Sequence, residues 1–286
     1  MTSTVQNTPS FLTIGHAARD ITPDGWRWGG TVTYAALLAR TWGVRTAVVT
    51  SLAQKDVPGY QALLGDDVLL HAIPSPATTT MENIYTDEGR QQLLHAKAAR
   101  IEPHHVPAAW RDAPVVLVGP ILHDVSTKFS GFFPEKSLVG MTIQGRLRSH
   151  RGGRVYKQLW HRAEHEFPAY DALFFSIEDV RNSMLLAEAY AELAPIAVMT
   201  RGSDGASRFH DGKFYELDAL PAQPVDLTGA GDIFAAAFML CYAEFGDQVV
   251  AHYYANAAAA CSIEHVGASG IPTFQQAKAR LRLALE

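Results

Sequence analysis

The stretch Asp226-Leu227-Thr228-Gly229-Ala230-Gly231-Asp232-Ile233-Phe234 holds the residues of this chain best suited to chemistry. Two glycines flank one alanine, an aspartate follows, and Phe234-Ala235-Ala236-Ala237-Phe238-Met239-Leu240 reads as a buried helix. A small-residue turn at a helix start presents unpaired backbone N–H groups, which attract anions. A carboxylate there opposes a bound anion unless it has work of its own. Asp232 would have such work as a base that takes a proton from a hydroxyl attacking a phosphate. A glycine turn with Asp232 as a helix N-terminal charge accounts for the same letters without chemistry.

Other segments supply candidates around that turn. Thr200-Arg201-Gly202-Ser203-Asp204-Gly205 follows a strand, where ligands of open parallel sheets lie. Its glycines admit a base or phosphate closely, and Arg201 suits phosphate oxygens; a solvated arginine on a plain turn is the competing reading. Asp20 follows the first strand, and Gly29-Gly30-Thr31 opens the first helix. A carboxylate that accepts from vicinal hydroxyls, beside backbone that a polyol can approach, suits a sugar-like substrate; a loop-capping aspartate is the alternative. In Ser176-Ile177-Glu178-Asp179 an acidic residue such as Asp179 suits hydrated magnesium, while Ser176 as an N-cap explains the same residues without metal. Arg146, Arg148, Arg151 and Arg154 form a basic run that reads by default as a solvated face, but Gln144 and Arg146 directly follow a strand end, within reach of the cleft. The twelve histidines suggest no metal cluster; His161 and His165 are spaced i,i+4 but lack the glutamate of the zinc-protease pattern. Neither G-x-G-x-x-G nor G-x-x-x-x-G-K-[ST] occurs.

Strands and helices that would position these residues alternate along the chain. Strands are expected at 11–15, 46–50, 68–73, 115–119, 138–142, 172–176 and 196–200. Helices are expected at 33–41, 177–193, after the glycine turn, at 247–263 and at 274–285. Asp211-Gly212 marks a hairpin. Residues 78–106 differ in texture: a β-prone stretch carries Asn83, and Asp87-Glu88-Gly89 resembles a hairpin turn. This segment reads as edge strands covering a site, with Asn83 on the substrate side. Strands alternating with helices argue for a three-layer α/β/α sandwich around a mostly parallel sheet.

A chain of 286 residues suits one large α/β domain. A net charge of −5 gives no general attraction for nucleic acid or anionic membrane. Cys241 and Cys261 read as buried thiols, and residues 1–10 as a flexible tail without a secretory signal, so a cytoplasmic protein is expected.

Taken together, these pieces resemble the ribokinase-like (PfkB) family of sugar and nucleoside kinases. Residues 226–234 match its C-terminal signature, 200–205 its nucleotide-side T-x-G-x-x-G segment, Gly29-Gly30 its N-terminal diglycine, and Asp20 its early substrate-binding aspartate. The resemblance implies a kinase domain over 11–286, with small β-lid elements near 16–28 and 78–106. It implies ATP and Mg2+, Asp232 as base, and the backbone of Gly229, Ala230 and Gly231 as anion hole. Asp20, Gly29, Gly30, Thr31, Asn83, Gln144 and Arg146 would face the substrate. Thr200, Arg201, Gly202, Gly205, Thr228 and Asn256 would face the nucleotide, and Asp179 would hold magnesium through water. Two departures stand out: Tyr34 occupies the place nearest the family's asparagine in G-G-x-x-x-N, and Ser176 and Asp179 replace the N-x-x-E pair. Gln144-Gly145-Arg146-Leu147-Arg148 resembles a stretch of inositol-kinase-like members, which favours a polyol such as myo-inositol. The implied protein is a monomer or homodimer. Its rivals are a nucleoside kinase, with Tyr34 or Tyr85 against the base, and a non-catalytic sugar or nucleotide sensor.

Overall fold

Apolar strand sequences build one sheet that is covered on both faces. The computed structural model describes residues 8–86, 89–129, 131–160 and 170–285. His161, His165 and the Asp87-Glu88 turn lie outside the described residues, as do residues 1–7 of the expected tail. In chain order the elements are β1 (Phe11–Ile14), β2 (Ala18–Thr22), β3 (Gly25–Gly29), α1 (Thr31–Thr41), β4 (Thr46–Ala53), α2 (Val57–Leu64), β5 (Leu69–Ser75), β6 (Thr79–Thr86) and β7 (Gly89–Ala96). There follow β8 (Val115–Val118), β9 (Leu138–Thr142), β10 (Arg148–Arg151), β11 (Arg154–Lys157), β12 (Ala172–Ser176), α3 (Met184–Ala191), β13 (Ile196–Thr200), β14 (Ala206–His210) and β15 (Lys213–Leu217). The chain closes with α4 (Ala230–Phe245), α5 (Gln248–Ser262) and α6 (Phe274–Leu285).

The main sheet has the order β15-β14-β13-β12-β9-β8-β1-β4-β5. It is parallel from β13 through β5, and β14 and β15 add an antiparallel edge. Side chains alternate between its faces, as strand geometry requires. Leu12, Ile14, Val116, Val118, Leu173 and Phe175 pack toward α3. Phe11, Val115, Leu117, Ala172 and Phe174 pack toward α1, α4 and α5. Both faces are therefore apolar, the pattern of a doubly covered parallel sheet. Helix α4 is buried from Ile233 to Cys241. Its alanines meet Ala35 and Ala39 of α1 and the alanines of α5, so three helices approach closely. Each large side chain buried there contributes about 1.5–3 kcal/mol.

A second sheet, β10-β11-β7-β6-β2-β3, forms the lid. The stretches 16–28 and 78–106 supply four of its six strands. Hairpin β10–β11 supplies the other two, and its basic sequence conceals it. The lid joins the main body through the buried ring of His16. Its Nε2 donates to the Ala99 carbonyl at 2.9 Å, so its Nδ1 accepts from Thr79 Oγ1 at 2.7 Å. These bonds tie the entry to β2 to the start of β6 and the exit from β7.

Two local expectations change. Residues 177–182 form turns with Arg181 and Asn182 at φ 59° and 57°, and the helix begins only after its N-cap Ser183. Cys241 is buried, but Cys261 is only half-buried. Among the described residues no helix is long and apolar enough to cross a membrane.

Candidate active site

The head of α4 meets the head of α1 at the C-terminal end of the parallel sheet, beneath the lid. Gly229 is the N-cap of α4 and adopts φ 81°, a left-handed conformation that glycine takes without strain. A Cβ at Gly229 would lie 2.6 Å from the ring of Tyr34, which packs beneath the turn. Asp226 braces the other side: Oδ1 accepts from the Thr228 N–H at 2.9 Å and Oδ2 from the Gly267 N–H at 3.0 Å. Burial pushes its carboxyl up, but these bonds outweigh that and hold it below the usual range.

Thr31, in the first turn of α1, donates Oγ1–H to Asp232 Oδ1 at 2.6 Å. That bond aims the carboxylate and joins residues 201 positions apart. Desolvation pushes the Asp232 carboxyl up to about 6. The Thr31 bond and the Arg148 charge oppose the rise, while Asp20 and Asp179 add to it. The result is a carboxyl poised near neutrality. Gly231 stands beside it in ordinary helical conformation, and a Cβ there would meet nothing within 4 Å. Ala230 departs from the expected anion hole, because its N–H reaches back to the Leu227 carbonyl at 3.3 Å. The backbone donors left for an anion are those of Gly229, Gly231 and Asp232, none of which has a backbone acceptor among the described residues.

The lid turns a polar face to this point. Asp20 pairs across the ladder with Arg27 and with Met81, and Asn83 with Gln92. The Gln92 amide donates to Asn83 Oδ1 at 2.9 Å, which orients the Asn83 side chain. A Cβ at Gly29 would sit 1.9 Å from Asp20 Oδ2, so the carboxylate lies against bare backbone. Gln144 donates to Asp179 Oδ1 at 3.1 Å. Asp179 Oδ2 accepts from the Ser176 N–H at 2.9 Å, the capping arrangement that the sequence offered as one of two readings. Each oxygen keeps a lone pair, and Asp179 is near enough to act on Asp232. Among the described residues no three metal-ligating side chains gather. One or two carboxylates with phosphate and water suit magnesium, so Asp179 fits such an ion.

Arg146 does not reach the cleft. It is 1 % exposed and donates Nη1–H to the Val125 carbonyl at 2.8 Å inside the fold. Arg148, two residues on, is the arginine whose charge acts on Asp232. Arg146 closes a 3-10 turn, whereas Arg148 opens β10.

On the other side of α4, Thr200 ends β13 and donates to the Phe175 carbonyl. Arg201 is engaged by Glu216 at 3.0 Å and by the Asp204 carbonyl at 2.8 Å. Gly202 turns the chain away from β13, and Gly205 lets the Leu217 carbonyl approach to where a Cβ would be at 2.1 Å. Asn256 is buried and donates to the Asp218 carbonyl at 2.7 Å, so it positions the segment after β15. Thr228 is exposed in the mouth of the cleft. Tyr34, offered in one reading as a face for a base, is 2 % exposed beneath Gly229. The side chain of Tyr85 lies outside the described residues.

Comparison with known proteins agrees with this layout. Residues 169–273 match the model of the pfkB family carbohydrate kinases. A cytidine kinase of Thermococcus kodakarensis is 27% identical over 251 residues, spanning 81% of this chain and 88% of that protein. A pyrophosphate-dependent kinase in the ribokinase family, solved with a pyrophosphate analog and myo-inositol, superposes with a TM-score of 0.80 at 21% identity, covering 94% of this chain and 99% of that one. The nucleoside kinase of Methanocaldococcus jannaschii superposes with a TM-score of 0.72 at 17% identity, covering 96% and 99%.

Proposed function

We propose, from the premise that this chain is a ribokinase-like (PfkB) family protein, that it transfers the terminal phosphoryl group of ATP to a hydroxyl of a small sugar or cyclitol such as myo-inositol. The observation that carries the reading is the 2.6 Å bond from Thr31 to Asp232 at the head of α4, with open space in front of Gly231. Asp20 and the oriented Asn83 accept and donate hydrogen bonds to the acceptor's neighbouring hydroxyls. Asp232 takes the proton of the attacking hydroxyl as its oxygen bonds to phosphorus and the bond to the leaving phosphate breaks. The N–H groups of Gly229, Gly231 and Asp232 stabilise charge on the group in transfer. Magnesium would supply positive charge that offsets the charge of the phosphates. Asp179 would hold it through water. Thr200, Gly202, Gly205 and the segment that Asn256 positions border the donor.

A nucleoside acceptor is the second reading, favoured by the likeness to a cytidine kinase. Burial of Tyr34 removes one of the two aromatic faces, Tyr34 or Tyr85, that this reading would use. Turnover of purified protein over inositols, pentoses, hexoses and nucleosides, with ATP or pyrophosphate as donor, decides between them. Preferential turnover of a polyol supports the first reading, and of a nucleoside the second. A folded protein whose melting point rises with a ligand but which turns over nothing is a sensor.

Asp20→Ala gives a sharper check. Loss of charge-assisted bonds should weaken acceptor binding by about 1–3 kcal/mol. Because Asp20 raises the Asp232 carboxyl, the acid limb of the pH–rate profile should also move to lower pH. Unchanged acceptor KM and an unmoved profile would return Asp20 to a structural role.

A further inference from the structure

Eight residues connect β15 to the catalytic turn, from Asp218 to Val225, and they belong to no strand or helix. Backbone groups of such a segment need partners, and here α5 and α6 supply them. Asn256 holds the Asp218 carbonyl. Arg280 of α6 donates Nη1–H to the Pro221 carbonyl and Nη2–H to Glu264 Oε2. Glu264 Oε1 in turn accepts the Gln223 N–H at 3.1 Å. The N–H groups of Val225 and Asp226 both reach the Ile263 carbonyl. Asp226 then accepts from the Thr228 and Gly267 N–H groups, which braces the entry to the glycine turn.

We propose that the Arg280–Glu264 pair is a clamp that positions this segment for the phosphoryl donor, making Arg280 a donor-affinity determinant remote from the chemistry. The inference rests on the reading of this site as a kinase. The pair is half-buried, with side-chain exposures of 22% and 26%, and both carboxylate oxygens of Glu264 are used. Charge-assisted bonds of this kind are roughly twice as strong as neutral ones. The pair itself lines an open surface depression of about 280 Å³, together with Cys261, His265, Ile271, Gln276 and Leu283. Its ends bracket the donor side: Asp218 lies beside the Gly205 turn, and Asp226 opens the anion-binding turn. The acceptor side is built from other elements, with Asp20 and Asn83 on the lid sheet and Thr31 at the head of α1.

The test compares wild type with Arg280→Met, which keeps the side chain's bulk, and Arg280→Lys, which keeps the charge without the two-pronged fork. Hydrogen exchange of the Gln223, Val225, Asp226 and Thr228 amides reads the clamp without turnover. Exchange should quicken about tenfold or more at Gln223 in Arg280→Met, less in Arg280→Lys, and equal exchange in all three overturns the clamp. Kinetics then read its purpose. Donor KM should rise about 5- to 20-fold in Arg280→Met while acceptor KM stays within about twofold. Equal changes in both KM values, or none, would overturn the donor role. If wild type turns over no donor and its melting point moves with neither ATP nor pyrophosphate, the kinase reading fails, and the exchange result still judges the clamp on its own. Should Arg280→Met fail to fold, Glu264→Leu removes both acceptor oxygens and so frees the Gln223 N–H and Arg280, and the same exchange and KM criteria apply to it.

Discussion

Asp232→Asn is expected to lose a factor on the order of 10²–10⁴ in kcat, the usual scale for a positioned base, while the donor binds within a few-fold of wild type. The amide keeps the size of the carboxyl and can still accept from Thr31, so the head of α4 keeps its place. What it lacks is a basic oxygen for the acceptor's proton. The sign of the stability change separates chemistry from structure. Desolvation raises the Asp232 carboxyl to about 6 in the fold, whereas an unfolded aspartate titrates near 3.9. The folded state therefore holds the extra proton between those values, and stability falls as pH rises through that window. Above about pH 6 the ionised carboxylate costs stability that Asn does not. The variant should melt no lower than wild type at pH 7.5, and its advantage should vanish near pH 4. In wild type, kcat/KM for the free enzyme should climb as pH passes about 6 and then level. A variant with wild-type turnover, or a profile flat from pH 5 to 8, would remove Asp232 from the mechanism.

The local structure of the glycine turn was legible because small residues, a helix start and an acidic residue sit in consecutive positions. The parallel core was legible for a related reason. Runs such as Val115-Val116-Leu117-Val118 bury both faces, and nothing polar interrupts them. The lid was half legible. Its strands β6 and β7 alternate only loosely, and β10 and β11 read as a charged surface because one face looks into an open cleft. Arg146 and Arg148 show the consequence. Two residues apart in a basic run, they look alike, yet one is buried against the Val125 carbonyl and the other faces Asp232. The Ser176–Asp179 segment misled differently. Capping chemistry was read correctly, but it closes a turn, and the left-handed Arg181 and Asn182 delay the helix to Ser183. Long-range partners such as Thr31 with Asp232, or Arg280 with Pro221, have no local signature, since only the fold brings them together.

The two glycines of the catalytic turn should fail in opposite ways when substituted. Gly229 needs its left-handed backbone and has the Tyr34 ring where a Cβ would go, so Gly229→Ala should lower stability together with activity. Gly231 needs neither. It is helical, and nothing lies within 4 Å of its would-be Cβ. Glycine in a helix is the weaker choice by up to about 1 kcal/mol relative to alanine, so replacing Gly231 should leave the melting point unchanged or raised. Valine at 231 would push two methyl groups into the space that the transferring phosphoryl group takes in the proposed reaction. Displacing that group from the N–H donors by about 1 Å can cost about 10²-fold in rate. Gly231→Val should therefore lose about two orders of magnitude in kcat per folded molecule, with a melting curve at or above wild type, and Gly231→Ala should fall between. The competing account, in which Gly231 serves helix packing, predicts the reverse: a lowered melting point with near-normal kcat in the folded fraction. Measuring kcat beside the melting curve for the three variants decides it, and near-normal turnover in Gly231→Val would remove this turn from phosphate binding.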